Sequence, residues 1–308
     1  MFSIIIPLYN KSPFIQRAID SILNQTFSDY EIIVVNDGST DGGEILVQKV
    51  YSDPVILINQ SNQGVSAARN TGIAKAKYSW IAFLDSDDFW HPSFLFCINE
   101  VISNHPELKM IGSSYSNNGL PASIENPKIK FIDKYFDIAI SNTLFTSSST
   151  VIHRSFFEKG TPFKAHLSRG EDIDVWFRAF DFFGKAAYIQ EPLMYYDLNA
   201  SSSLKQTLKL SQTIFSEMFQ SNYPIHNHKN SWLTFRDKYL LLNLFSFMDT
   251  EENFLEGKKL LKKTEKDFLL ARVPYLLPFR LIKVFNSIPS LKSALRKYLK
   301  FCFRFIYH

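Results

Sequence analysis

Tyr78-Ser79-Trp80-Ile81-Ala82-Phe83-Leu84-Asp85-Ser86-Asp87-Asp88-Phe89-Trp90-His91-Pro92 is the stretch on which the reading of the chain turns. Residues 80–84 form an unbroken apolar run between polar neighbours, the pattern of a strand buried on both faces in a mostly parallel sheet. The run stops at three acids within four positions. Carboxylates that close raise one another's pKa unless a cation lies among them. A divalent ion with oxygen preference, Mg2+ or Mn2+, suits carboxylates at the carboxyl end of a strand and keeps positions for substrate phosphates. A metal and diphosphate site is therefore the functional expectation. The competing reading is a solvated acidic turn that caps the next helix through Asp88 or Ser93, and the short motif alone does not separate the two.

Moving outward, the chain before this stretch alternates strand and helix. Residues 2–8 and 30–35 read as buried strands, and 55–58 as a shorter one. Ser12 followed by Pro13 is a helix start, with Phe14, Ala18, Ile19, Ile22 and Leu23 on one face. Residues 62–70 lead into another helix. Such alternation predicts a doubly wound α/β sheet whose ligands lie outside the carboxyl ends of its strands. Three strand ends then bring Tyr9, Asp37, Asp41, Asp85 and Asp87 to one edge, with Arg69 on a nearby helix. There Asp37 can accept from a uracil imide, Tyr9 can pack on base or ribose, and Arg69 can pair with phosphate. Asp-Gly-Ser turn chemistry and a surface ion pair are the plainer explanations of Asp37 and Arg69 taken singly.

Five motifs in order carry a resemblance. They are Ile4-Ile-Ile-Pro7-Leu-Tyr9-Asn10, Ser21-Ile-Leu-Asn-Gln25-Thr26-Phe27, Glu31-Ile-Ile-Val-Val-Asn36-Asp37-Gly38-Ser39-Thr40-Asp41, Asn62-Gln-Gly64-Val-Ser66-Ala-Ala-Arg69-Asn70-Thr-Gly72 and Phe83-Leu-Asp85-Ser-Asp87-Asp88. Together they resemble the inverting family-2 glycosyltransferases of the GT-A fold, over about the first hundred residues. The resemblance implies a UDP-sugar donor contacted by Pro7, Tyr9, Asp37, Arg69 and Asp85. It also implies Mn2+ or Mg2+ at Asp87, supported by Asp85. Asn36 stands where many members have another Asp.

A second stretch, Arg169-Gly-Glu171-Asp172-Ile-Asp174-Val-Trp176, puts acids at a helix N-terminus, where the macrodipole favours them. Capping alone explains it, but it also resembles the family's Glu-Asp motif. That resemblance makes Asp172 the expected base for an acceptor hydroxyl, with Glu171 and Trp176 as acceptor or supporting residues. In Tyr195-Tyr196-Asp197-Leu198-Asn199 the chain departs from the Tyr-Arg-x-His of many relatives, so Asn199 stands where a His often meets the metal or diphosphate. The Ser-rich segment after it is expected to close as a lid.

Elsewhere, residues 113–130 read as a loop beside the acceptor cleft, 131–145 as a helix and 147–154 as a strand. His153, and His226 with His228, read as structural or solvated rather than as ligands. Helices are expected at 94–104, 232–248 and 254–270.

Bulk composition limits the alternatives. The 308 residues carry a net charge of +4, yet 268–308 hold eight Lys and Arg and no acid, which leaves 4 − 8 = −4 for the rest. Cys97 and Cys302 are too few and too scattered for a disulfide framework, so a reducing compartment is expected. The start reads as a strand rather than a signal peptide, and no run of 18 apolar residues suggests a spanning helix. The basic amphipathic segment 273–308 is expected on an anionic membrane surface, which puts the protein in the cytoplasm at the inner face of the membrane. Residues 1–204 are expected as the catalytic domain, with donor-binding (1–100) and acceptor-binding (101–204) halves, and 205–308 as a helical extension. The expected partners are a UDP-sugar and a glycan or lipid-linked saccharide, with no nucleic acid. A processive synthase would show Gln-x-x-Arg-Trp and spanning helices. A sugar-nucleotide pyrophosphorylase would show a Gly-rich, Arg-containing loop after the first strand. The alternative from another class is a catalytically silent module that binds nucleotide or glycan.

Overall fold

The structure is a computed structural model that describes residues 1–140, 142–160, 162–198, 208–265 and 267–306. By contact the chain divides into two compact units: 1–134 with 144–165 and 171–204, and 135–143 with 166–170 and 205–308.

The first unit is built on a nine-stranded sheet. Its elements run β1 (Phe2–Leu8), α1 (Ser12–Leu23), β2 (Tyr30–Asp37), α2 (Gly43–Val50), β3 (Val55–Gln60), α3 (Val65–Lys75), β4 (Trp80–Phe83), β5 (Phe89–Trp90), α4 (Phe94–Asn104), β6 (Met110–Ser116), β7 (Ile129–Ile132), then, after α5 of the second unit (Tyr135–Ile138), β8 (Thr150–His153), α6 (Glu171–Phe183) and β9 (Ala186–Tyr195). The strand order is β3-β2-β1-β4-β8-β6-β9-β5, with β7 also on β9. The first four strands are mutually parallel, β8 runs antiparallel to both its neighbours, and β6 returns to parallel on β9. The mostly parallel expectation therefore describes the first half, and the second half is mixed.

Burial explains both faces. Phe2, Ile4, Ile6 and Leu8 share a core with Ile15, Ala18, Ile19 and Ile22 of α1. Ile5, between them, must point the other way. There it meets α3 at Gly72, where an added Cβ would lie 2.4 Å from Ile5 Cγ2. Helices thus cover both faces, and only glycine lets α3 approach so closely. The buried stripe of α1 runs through Ile15 rather than Phe14 and Leu23, and Leu23 is exposed. Ser12 does not cap this helix with its side chain; its own N–H is taken by Asp41 Oδ2 at 2.8 Å, so the cap comes from the loop after β2.

Three expectations need correction. Residues 113–116 belong to β6 and pair with β9, because Ser113, 0% exposed, can be buried with its hydroxyl bonded to Ser114 O. Residues 129–132 form an edge strand antiparallel to β9, so the helix expected over 131–145 shrinks to α5. Residues 147–149 form a 3-10 turn, because Thr146 and Ser149 cap each other reciprocally, and the strand begins only at Thr150.

In the second unit α7 (Ile214–Glu217), α8 (Lys229–Asn243), α9 (Glu251–Lys262), α10 (Leu269–Arg272), α11 (Phe279–Ser287) and α12 (Pro289–Phe301) follow α5. A 3-10 segment, Leu244–Phe247, ends α8 earlier than the expected helix over 232–248. The helix expected over 254–270 divides into α9 and α10. Phe136 packs on Trp232 and Phe235. Tyr275, 3% exposed, donates to Leu241 O at 2.6 Å and accepts from Phe245 N–H. Among the described residues no helix is long and apolar enough to cross a membrane.

Candidate active site

The sheet order places the acids. The chain steps outward from β1 to β2 and β3, then returns to the other side of β1 as β4, so a crevice opens where β1 and β4 end side by side. Asp85 to Asp88 make the turn after β4, closed by Asp88 N–H to Asp85 O at 3.0 Å. The loop after β1 supplies Lys11, whose Nζ lies 2.7 Å from Asp87 Oδ2, each side chain about one-fifth exposed. Arg17, one turn into α1, donates to Asp87 O at 2.5 Å and to Asp197 Oδ2 at 2.8 Å. Its guanidinium lies over the Phe89 ring, 4.9 Å from the centroid.

The three acids are not equivalent. Asp88 is 2% exposed and accepts from Ser148 Oγ at 2.6 Å and from Asp197 N–H at 3.2 Å. Burial, then the charges of Asp85 and Asp87, push its carboxyl up to about 8, against those two bonds. It is a structural pin, which removes it as a helix cap. Asp85 and Asp87 are partly exposed, and each commits one oxygen to a cation.

Arg69 is that cation for Asp85, and the chain of contacts continues from it. Its Nη2 is 2.7 Å from Asp85 Oδ1 and its Nη1 3.3 Å from Glu171 Oε1, while its plane lies 5.2 Å from the Phe163 ring centroid. Burial would lower its pKa, but Asp85 and Glu171 more than offset that and raise it. At 3% exposure, with both terminal nitrogens on carboxylates, Arg69 is not a surface ion pair. It braces the turn after β4 against the N-terminus of α6. Asp172, next to Glu171, accepts from Ile173 N–H at 2.8 Å. Burial and then the Glu171 charge push its carboxyl up to about 7, against the pull of Arg69. A carboxyl so poised is matched to taking a proton near neutral pH.

The other expected residues divide. Tyr9 is 46% exposed at the end of β1, and Pro7 is buried within it. Asp37 is 2% exposed, and its oxygens accept from Gln60 Nε2 (2.7 Å), Gln63 N–H (3.0 Å) and Gly64 N–H (2.8 Å). It anchors the loop before α3 and keeps one of a carboxylate's roughly four acceptor sites. Trp176 is fully buried with its ring edge-on to Phe163, so it has no face for a sugar. Asp174 is equally buried and spent on Arg178 and Lys164. His153 pairs with Ser155 and packs on Trp80. Asn199 and the Ser-rich segment after it lie outside the described residues.

Lys11, Arg17, Ser148 and the Asp197 carboxylate were not singled out from sequence as site residues. Two basic residues just after β1 were a usable signal for the first pair. Nothing local marks Ser148. Among the described residues no group of three or more His, Cys, Asp or Glu is arranged to hold a metal. Asp85 Oδ2 and Asp87 Oδ1 carry no hydrogen bond there, so the donor set suits an ion shared with substrate phosphates.

A model of the family described as Glycosyl transferase family 2 matches residues 3–161, just over half of the chain. The chain belongs to that family. The matched segment of this family-2 chain includes Asp85, Asp87 and Arg69 and ends before Glu171 and Asp172. EpsH of Bacillus subtilis strain 168, which carries a provisional glycosyltransferase name, is 27% identical over 279 residues, 85% of this chain and 80% of EpsH. Other relatives, five named as glycosyltransferases and two as chondroitin and hyaluronan synthases, are matched over only 12% to 37% of their lengths. Among solved structures, S. aureus TarS in complex with UDP-GlcNAc superposes with a TM-score of 0.71 at 17% identity, over 97% of this chain and 90% of that one. A mannosyltransferase from Pyrobaculum calidifontis in complex with GDP-Man and Mn2+ superposes with a TM-score of 0.53 at 15% identity, over 98% and 85%. The fold is GT-A, with a helical C-terminal region.

Proposed function

We propose that this family-2 chain is a metal-dependent, inverting and non-processive glycosyltransferase. It moves a hexose or N-acetylhexosamine from a UDP-sugar to a hydroxyl of a glycan acceptor, lipid-linked, in bacterial surface polysaccharide synthesis at the inner face of the membrane. The observation that carries the reading is Arg69, which ties Asp85 beside Asp87 to the helix end bearing Glu171 and Asp172. Acids suited to a cation and diphosphate thereby share one neighbourhood with a carboxyl poised near 7. The nucleotide sugars bound by TarS and the P. calidifontis enzyme, the latter with Mn2+, belong to the same ligand class.

Inverting transfer is a direct displacement at the anomeric carbon, so one carboxylate must take the acceptor's proton on the face opposite the departing diphosphate. Asp172 has that role, and Glu171 with Arg69 positions it. Asp85 and Asp87 would hold Mn2+ or Mg2+, which would supply positive charge against the leaving diphosphate. Tyr9, Pro7 and Asp37 line the nucleotide side. Lys11 and Arg17 keep the acidic turn compensated. Residues 1–204 are the catalytic domain, its first hundred residues binding donor and the rest acceptor, and 205–308 are the membrane-facing extension.

The test is UDP release from a panel of UDP-sugars with Mn2+ or Mg2+, with and without saccharide acceptors. Acceptor-dependent release is expected, and Asp87→Ala should abolish metal-dependent UDP binding. A chain that binds UDP but releases none from any donor is the silent module instead.

A further inference from the structure

The second unit contains a hollow of about 270 Å³ whose lining shares no residue with the proposed transfer site. Arg169, from the segment before α6, meets Lys292 and Arg296 of α12 on its wall. Leu242, Leu295 and Leu299 line it between the cations, and Asn243 and Ser246 supply polar side chains. No carboxylate among the described residues lines it. Among the described residues none of the three cations, all of them exposed, forms an ion pair or a side-chain hydrogen bond. Lys292 and Arg296 are four residues apart on one helix, an arrangement of like charges that is destabilising without a counter-ion. Arg169 is held by the Phe247 ring, its guanidinium 5.6 Å from the centroid.

We infer that this hollow is a binding site for a phosphate group carried as a monoester or diphosphate. Two forked guanidinium groups and an ammonium match the several oxygens and multiple charge of such a group. The volume lies below the ordinary range for whole small-molecule ligands, so it suits a headgroup rather than a nucleotide sugar. The leucines give the substituent on the phosphate an apolar wall. The group could arrive on a soluble ester or on a lipid. The inference does not depend on the transferase reading.

Calorimetric titration of the full chain in EDTA, with inorganic pyrophosphate as probe, tests it. Lys292→Ala with Arg296→Ala should weaken binding at least about tenfold, the loss expected for charge-assisted contacts. Arg280→Ala with Lys283→Ala removes equal charge outside the hollow and should leave affinity within about twofold. Arg169→Ala, which leaves α12 intact, should weaken binding as the first pair does. Phosphatidylcholine vesicles carrying either phosphatidic acid, a monoester, or phosphatidylglycerol, a diester, matched in surface potential, separate the sources. Preference for phosphatidic acid that is lost in the α12 pair identifies a lipid headgroup, and pyrophosphate binding without that preference identifies a soluble ester. Equal losses in both charge pairs, or no binding of either probe by the unaltered chain, overturns the site.

Discussion

At the scale of the residue, Asp172 and Arg69 carry the argument. A base must be ionised to act, and burial with the Glu171 charge raises the Asp172 carboxyl to about 7. Transfer should therefore rise with pH through about 7 and then level off, as a pH–rate profile will show. Asp172→Asn should keep donor binding and lower turnover by roughly 10²–10⁴; unchanged turnover would remove Asp172 as the base. Stability moves the other way. A carboxyl whose folded pKa lies above its unfolded value near 3.8 stabilises the fold fully below that value, and the contribution is lost as pH rises through about 7. Arg69→Ala strips the shared partner from Asp85 and Glu171. Removing one member of a buried pair costs about 3–5 kcal/mol, less here because the Asp85 side chain is 32% exposed. Urea unfolding gives the cost, and the same variant should shift the pH–rate midpoint upward, since Arg69 is what holds Asp172 down.

At the scale of the element, the strand and helix alternation over the first hundred residues was legible because buried parallel strands are continuous apolar runs with sharp ends. α4 was bounded correctly from its own pattern. β6 was not, because Ser-Ser-Tyr-Ser has loop composition and becomes strand only through β9, some seventy residues later. The 3-10 turn that aims Ser148 at Asp88 was lost for the same reason, its cause being a cap between Thr146 and Ser149 rather than any periodicity. Asp37 and Arg69 stand out in the sequence, but their protein partners Gln60, Gln63, Gly64 and Glu171 sit on distant segments, so those contacts were not legible there. The approach of α3 to β1 makes a separate prediction. Gly72→Ala would drive a methyl into Ile5 and should cost about 1–3 kcal/mol by thermal melting. Ile5→Ala, which removes Cγ2 with Cγ1 and Cδ1, should make the double variant less destabilised than the sum of the two single ones.

At the scale of the whole molecule, charge is segregated along the chain, with eight cations and no acid over 268–308. Leu276, Leu281, Val284, Phe301 and Phe305 are exposed among them, which is an apolar and basic surface suited to anionic lipid. Deleting this stretch is a poor test, because Tyr275, Ile282, Leu299 and Cys302 are buried and the remaining helices would lose their cover. Lys283→Glu, Lys297→Glu and Lys300→Glu together leave those contacts alone. With each basic residue contributing roughly 1 kcal/mol near an anionic surface, the triple variant should lose co-sedimentation with phosphatidylglycerol vesicles. Retained co-sedimentation would exclude this surface as the membrane contact.

The guanidinium at position 69 also constrains ancestry. Because one side chain answers for acids contributed by segments about a hundred positions apart, none of the three can drift alone without stranding a charge. Descendants that replace this arginine should therefore be found to have neutralised position 85 or 171 as well, and lineages that keep both acids should keep the arginine.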